Sequence, residues 1–210
     1  MSIICLEGAS AVGKTTTAKA LENVGALAVA EVNQLFKRPE NESAEWYFER
    51  QVERWSLAQK QKNFYSLIVL DGDPFQPLWY NWAYDFANRQ DLDFMERFYK
   101  PRIRNETIGF PDLYFILSAG EVELRRRQTG DASRQRRGFE WHLQMIEPQQ
   151  RYFRAMREFS PNRVFFLETE TIEANVEFIR ARAEDLSERK RDESRDLFDK
   201  MIRWLRENKA

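Results

Sequence analysis

The 210-residue sequence has one cysteine, Cys5, and one histidine, His142. A single cysteine cannot form an internal disulfide, and this pair alone cannot supply a Cys/His-rich zinc site. Cys5 lies within an apolar run, where a free cysteine is typically a buried and unreactive thiol. His142 lies in an aromatic helical segment, and we expect it to have a structural role.

The sequence also lacks long apolar runs and a strong net charge. No stretch reaches the roughly 18–20 apolar residues of a membrane-spanning helix. No basic segment precedes the N-terminal apolar run, so we expect no signal peptide and a cytoplasmic location. The net charge of −1 provides no basic field that would recruit nucleic acid or an anionic membrane. With 42% hydrophobic and 32% charged residues, residues 1–210 are predicted to form one globular domain.

Five short, continuous apolar runs alternate with longer helical patterns. This alternation is typical of βαβ units, and continuous apolar strands are typical of a parallel sheet covered by helices on both faces. The predicted strands are Ile3–Leu6, Ala26–Ala30, Leu67–Leu70, Leu113–Leu117 and Val164–Leu167. The main predicted helices are Lys14–Asn23, Ser43–Gln61, Gln76–Asn88, Asp91–Lys100 and Phe139–Arg157.

The C-terminal part, about residues 172–210, is predicted to be a charged helical extension. Residues 187–194 contain no apolar side chain, which indicates an exposed helix or a break between two helices. Apolar residues return in the last stretch, at Leu197 and Met201 for example. This segment is therefore expected to pack on its own domain or on a partner subunit.

Residues 8–15 fit the phosphate-loop pattern G-x-x-x-x-G-K-[ST], between a predicted strand and a predicted helix. Glycines allow the backbone to wrap around phosphate oxygens, and the helix N-terminus adds a partial positive charge. Lys14 is predicted to contact the β- and γ-phosphates of ATP, and the Thr15 hydroxyl to bind Mg²⁺. The predicted nucleotide-binding residues are Gly8, Ala9, Ser10, Ala11, Val12, Gly13, Lys14, Thr15 and Thr16.

Three classes of phosphate-loop protein are separated by short motifs. A GTP-hydrolysing switch requires Asn-Lys-x-Asp, but the sole Asn-Lys pair is Asn208-Lys209. A motor-type ATPase requires a strand ending in Asp-Glu, whereas Leu67–Leu70 is followed by Asp71-Gly72-Asp73. A small-molecule kinase therefore remains as the main prediction, with a non-catalytic nucleotide-binding regulator as the alternative.

An arginine-rich segment, about residues 125–138, follows the fourth predicted strand and is predicted to be a lid. Guanidinium groups are suited to stabilising charge on a transferring phosphoryl group, and a closing lid excludes water. Arg125 is predicted to act in catalysis, and Arg134 and Arg136 to contact the nucleotide. The alternative is a solvated basic surface loop.

These pieces resemble the deoxynucleoside kinase family, within the wider thymidylate-kinase-like group. Residues 8–15 correspond to the family's phosphate loop, and Glu31 follows the second strand where the family places its general base. Residues 46–51 resemble the helical segment in which a Trp is followed by a base-reading Gln. Arg125 falls at the first lid arginine, and residues 138–143 resemble the start of the next helix.

The resemblance implies a three-layer α/β/α fold with a five-stranded parallel sheet in the order 2-3-1-4-5. It implies transfer of the γ-phosphate of ATP to a hydroxyl of a nucleoside-like small molecule, with Mg²⁺ as cofactor. In that reaction Glu31 would accept the proton of the hydroxyl, and Gln51 would contact the base edge. Members of the family often pair through helices, and the sequence leaves a homodimer open.

The sequence departs from the family after the third strand, where the family has Glu-Arg-Ser or Asp-Arg-Ser. Here Asp71 keeps the acid for Mg²⁺, and the arginine is absent. An antibiotic, another metabolite or a nucleoside monophosphate therefore remains an alternative acceptor. Asp73 is predicted to bind substrate or to cap the next helix. Trp79 belongs to an aromatic segment that would line the acceptor pocket or pack in the core.

Overall fold

The computed structural model describes residues 1–85, 90–130, 138–168, 171–186 and 193–210. At its centre is a parallel sheet with the strand order β2-β3-β1-β4-β5. The strands are β1 (Ser2–Gly8), β2 (Leu27–Val29), β3 (Leu67–Asp71), β4 (Leu113–Ser118) and β5 (Val164–Glu168). The predicted strand order, the parallel arrangement and all five predicted strands are confirmed.

Ten helices are described around this sheet. They are α1 (Lys14–Glu22), α2 (Val32–Leu35), α3 (Trp46–Gln61), α4 (Gln76–Ala83), α5 (Leu92–Arg104), α6 (Glu121–Gly130), α7 (Phe139–Gln144), α8 (Ile146–Phe159), α9 (Ile172–Glu184) and α10 (Glu193–Glu207). Within the described ranges, no helix is both long enough and apolar enough to cross a membrane.

Two predicted helices differ most from the observed ones, whereas α1, α3 and α5 differ from their predicted bounds by one to four residues at an end. The predicted helix from Phe139 to Arg157 is broken at Met145 into α7 and α8. Pro148 explains the break, because a proline inside a helix lacks the amide donor and clashes with the carbonyl four residues earlier. The predicted helix from Gln76 ends at Ala83 in α4, and residues 86–88 of the prediction lie outside the described part of the chain.

The two faces of the sheet pack into two hydrophobic clusters. Along β1, Ile3 and Cys5 face one cluster, whereas Ile4 and Leu6 face the other, as strand alternation requires. The first cluster is the larger and is rich in aromatic side chains from α3, α4, α5, α8 and α10. The second includes side chains of α1 and α9. Cys5 is fully buried, and burial raises the pKa of its thiol, so this cysteine is packed and unreactive.

The C-terminal helix α10 packs on its own domain. Its buried side chains face α5 and α8 and are Leu197, Phe198, Met201, Ile202 and Leu205. Beyond the helix, the Asn208 carbonyl oxygen accepts a 2.8 Å hydrogen bond from the indole nitrogen of Trp82 on α4. Of the charged run that precedes the helix, residues 187–192 lie outside the described ranges.

Candidate active site

The phosphate loop connects β1 to α1 at the edge of the sheet where the strands end. Gly8 has φ +141° and Gly13 has φ +106°, a region that favours glycine. A Cβ at Gly8 would lie 2.2 Å from the main-chain oxygen of Leu117, so the loop can follow this path only with glycine. Lys14 Nζ donates to the carbonyl oxygens of Gly8 at 2.8 Å and Ala9 at 3.2 Å. The lysine is thus held over the loop, where phosphates bind in such folds.

Thr15 and Asp71 form a direct contact between α1 and the end of β3. Thr15 Oγ1 donates to Asp71 Oδ2 at 2.7 Å, and Asp71 is 2% exposed. The other carboxylate oxygen of Asp71 is buried and has no hydrogen-bond partner among the described residues. A hydroxyl beside an unsatisfied carboxylate fits Mg²⁺, which prefers oxygen ligands and keeps several waters. The described ranges hold no cluster of three or more His, Cys, Asp or Glu, so nucleotide phosphates and water would complete the coordination.

Glu31 is the N-cap residue of α2, two residues after β2 ends at Val29, and lines the same cavity as the phosphate loop. Gly72, which follows β3, has φ +95°, and a Cβ there would lie 3.8 Å from Glu31 Cγ. The left-handed backbone at position 72 strongly favours glycine over arginine. The ends of β2 and β3 therefore bring Glu31 and Asp71 to the same edge of the sheet.

Glu7 is a polar residue of the site that sequence reasoning missed. It is the penultimate residue of β1, directly before Gly8, and is 2% exposed. Its Oε1 accepts from the Gly8 amide at 2.9 Å and from Gln149 Nε2 at 3.2 Å, and its Oε2 accepts from the Asp73 amide at 2.9 Å. Burial raises the pKa of this carboxyl. The available signal was a charged residue at the end of an otherwise apolar strand.

Asp73 follows β3 and is buried, with 1% of its surface exposed. Its Oδ1 accepts from the Phe75 amide at 3.0 Å and from the Tyr114 hydroxyl at 3.0 Å. This carboxyl therefore fixes the turn that leads into α4, whose N-cap residue is Phe75 and which has no side-chain capping hydrogen bond. The role of Asp73 toward substrate stays a prediction. Burial raises the pKa of Asp73 to about 7.

The Asp73→Asn variant is expected to change how stability depends on pH. Because the folded-state pKa is raised above the unfolded value, protonated Asp73 stabilises the fold at low pH, and this contribution is lost as pH rises toward 7. An asparagine mimics the protonated acid, so the variant should gain stability relative to wild type as pH rises, by at most about 1.4 kcal/mol per pH unit. Thermal melts without nucleotide and Mg²⁺, at pH 5 to 8.5, measure this difference. Glu177→Gln, at an exposed position, is the control. If the stability of wild type and of Asp73→Asn changes with pH in the same way, the expectation is refuted.

Gln51 lies on the buried face of α3, beneath the cavity wall. It is 2% exposed, and its Oε1 accepts from Arg54 Nη1 at 3.1 Å. The structure therefore brings Gln51 to a buried arginine, and a contact between Gln51 and a substrate base stays a prediction.

The first three arginines of the predicted lid lie on helix α6, which the sequence did not predict as a helix. Arg125 is exposed and pairs with Glu121 and Glu140. Arg127 instead reaches the phosphate loop, where its Nη1 donates to the Val12 carbonyl oxygen at 2.9 Å. Arg126 and Arg127 line the cavity. The spacing of adjacent arginines could not tell which of them faces the loop, because that depends on how α6 packs.

Arg134 and Arg136, the other two predicted lid residues, lie outside the described part of the chain. Their contacts with nucleotide remain predictions.

A cavity of about 1510 Å³ joins the phosphate loop to an aromatic wall. The wall includes Tyr47, Phe48 and Trp79, and Tyr47 OH donates to Gln76 Oε1 at 2.6 Å. Trp79 is 3% exposed, and in the described part of the chain its indole nitrogen has no hydrogen-bond partner. Rings with a few polar groups are typical of a pocket for a planar small molecule.

Comparisons with known proteins give a fold likeness. No family model matches the sequence, and no curated protein does. Deoxyadenosine kinase from M. mycoides with bound dATP is similar in structure, with a TM-score of 0.56 and 17% identity over 88% of this chain and 100% of that chain. Thymidylate kinase from Candida albicans has a TM-score of 0.54 and 14% identity over 87% of this chain and 91% of that chain. The fold implied by the sequence resemblance is thus confirmed.

Proposed function

We propose that this protein is an ATP-dependent kinase that transfers the γ-phosphate to a hydroxyl of a nucleoside-like small molecule. The observation that carries the proposal is one cavity lined by both the phosphate loop and Glu31. In that cavity a phosphate donor at Lys14 and an acceptor hydroxyl at Glu31 would meet. Kinases among the solved structures of the same fold support the reaction class.

Each residue of the site has a separate role in the proposed phosphate transfer. Lys14 and the loop amides hold the β- and γ-phosphates, and Thr15 and Asp71 hold Mg²⁺ directly or through water. When bound, Mg²⁺ would neutralise charge on the phosphate oxygens. Glu31 orients the acceptor hydroxyl and takes its proton. Arg127 stabilises the charge of the transferring group from the lid side.

The aromatic wall favours a ring-containing acceptor. Tyr47, Phe48 and Trp79 contribute aromatic surface to this wall, which suits a planar acceptor. Gly72 in place of the family arginine keeps a substrate other than a nucleoside among the candidates. An antibiotic or another metabolite hydroxyl would be accepted by the same chemistry.

The experiment that tests the function is a screen of ATP consumption with nucleosides, nucleoside monophosphates and hydroxylated antibiotics. We expect ADP formation that depends on one acceptor class, with a phosphorylated product identified by mass spectrometry. ADP formation that is independent of every acceptor would contradict the kinase proposal and favour a nucleotide-binding regulator.

Arg127 is expected to matter more for turnover than its neighbour Arg125. Arg127→Met removes the guanidinium that donates to Val12, so we expect kcat to fall by about 10³-fold, the low end of the effects known for such arginines. Arg125→Met is the matched control, because Arg125 pairs with Glu121 and Glu140 at the surface. Steady-state kinetics of both variants measure the difference. A larger loss in Arg125→Met would instead support the assignment made from the sequence.

A further inference from the structure

Arg54 on α3 is a buried arginine whose partners are main-chain atoms. It is 1% exposed, and its hydrogen bonds go to four carbonyl oxygens and to the Gln51 side-chain oxygen. A buried charge is costly unless its hydrogen bonds are satisfied. The guanidinium meets this requirement with donors in a planar fork, so its position is fixed tightly.

The carbonyl oxygens bound by Arg54 belong to the two strand ends that carry the proposed chemistry. Its Nε donates to Ala30 O at 2.8 Å, and Ala30 directly precedes Glu31. Its Nη2 donates to Asp71 O at 2.8 Å and to Gly72 O at 2.9 Å. One rigid group therefore joins the backbone before the proposed base to the backbone of the Mg²⁺-binding acid.

We propose that Arg54 is a positioning residue that sets the spacing between the Glu31 and Asp71 carboxylates. This role rests on the proposed kinase function. Strand β2 has three residues, and its pairing with β3 ends at Val29, so the sheet itself does not hold Glu31. Arg54 joins the backbone before Glu31 to the backbone of Asp71 through its hydrogen bonds to Ala30 O and Asp71 O. The Gln51 side-chain oxygen accepts from Arg54 Nη1 and holds it in place.

The role follows from geometry that lysine cannot reproduce. A lysine at position 54 keeps the positive charge, but its single nitrogen cannot reproduce the fixed spacing with which Nε and Nη2 of the planar guanidinium hold Ala30 O and Asp71 O. Reacting groups misplaced by about 1 Å can lose about 10²-fold in rate. The loss should therefore appear in kcat, while ATP still binds through the loop.

The test compares Arg54→Lys with Arg163→Lys. Arg163 is 3% exposed and its Nη1 donates to Pro111 O at 2.8 Å, at the opposite end of the sheet, before β4 and β5. Both variants should lose thermal stability, because each loses a buried fork of hydrogen bonds. At a temperature where both are folded, we expect kcat to fall by about 10- to 100-fold in Arg54→Lys and to stay at the wild-type value in Arg163→Lys. Equal kcat in the two variants would overturn the proposal.

A second readout keeps the test independent of the acceptor. The affinity for ATP is measured with Mg²⁺ and with EDTA, because Arg54 holds the backbone of Asp71. In Arg54→Lys the gain in affinity from Mg²⁺ should shrink, whereas in Arg163→Lys it should match wild type. An unchanged gain in Arg54→Lys would overturn the positioning role. If wild type phosphorylates no acceptor, the kinase proposal fails. The ratio of the ATP affinities with Mg²⁺ and with EDTA still decides whether Arg54 positions Asp71.

A milder variant covers the case in which Arg54→Lys does not fold. Gln51→Met keeps Arg54 but removes the oxygen that holds its Nη1. We expect lower kcat with an unchanged KM for the acceptor. A raised acceptor KM with unchanged kcat would contradict the positioning role and support Gln51 as a direct substrate contact.

Discussion

Glu31→Gln is expected to lower kcat for phosphate transfer by about 10²–10⁴-fold and to leave the affinity for Mg·ATP nearly unchanged. A carboxamide has the shape of the carboxylate but cannot accept the proton of the acceptor hydroxyl. The nucleotide contacts are expected from the phosphate loop, with Lys14 held over it and Thr15 beside Asp71. Turnover and equilibrium ATP binding, measured on the same preparation, separate the two effects.

Glu42→Gln provides the matched control for this experiment. Glu42 also lines the cavity, but its carboxylate pairs with Arg38. Its replacement should leave kcat close to wild type, because this ion pair is partly exposed and lies apart from the strand ends. Unchanged turnover in Glu31→Gln would exclude the proton-accepting role. An equal loss in both variants would point to a general effect of charge in the cavity.

Gly8→Ala is the second substitution with a large expected effect, and it acts on the backbone. The new Cβ would lie 2.2 Å from Leu117 O and 3.2 Å from Val12 Cγ1, and the φ of +141° is unfavourable for alanine. Since the oxygen at 2.2 Å belongs to the main chain of β4, a side-chain rotation cannot relieve the clash. We expect a loss of roughly 3 kcal/mol of stability together with loss of ATP binding.

Denaturant unfolding and ATP titration measure these two losses. Gly120→Ala is the control, because nothing lies within 4 Å of its Cβ position and its φ is outside the left-handed range. That variant should match wild type in both measurements. Wild-type stability of Gly8→Ala would mean that the phosphate loop and β4 separate more easily than the close contact with Leu117 implies.

The features that the sequence predicted well are those set by local pattern. Continuous apolar runs located all five strands, and the strand–loop–helix spacing located the phosphate loop at Gly8–Thr15. The residue after a strand end is also readable from sequence, because parallel strands end at a shared edge. For this reason the sequence alone placed Glu31 and Asp71 after the ends of two predicted strands.

The features that the sequence did not predict depend on tertiary packing. The helical spacing of α3 indicates that Arg54 faces inward. It does not indicate that the guanidinium bonds to the backbone after β2 and at the end of β3. Arg127 differs from Arg125 only by its direction on α6. Glu7 stands at the end of an apolar strand, and its partner Gln149 is 142 residues away. Pro148, in contrast, was a local signal for the helix break at Met145.

The hydrogen bond from Trp82 to Asn208 has a practical consequence for work with this protein. Trp82 lies on α4, the helix that also carries Trp79 of the cavity wall, so the chain near Asn208 is joined to the helix that lines the cavity. Only Lys209 and Ala210 would separate this bond from an affinity tag fused after Ala210. Met1 is 80% exposed and precedes β1 at the far end of the sheet. A tag before Met1 is therefore the better choice when acceptor specificity is measured.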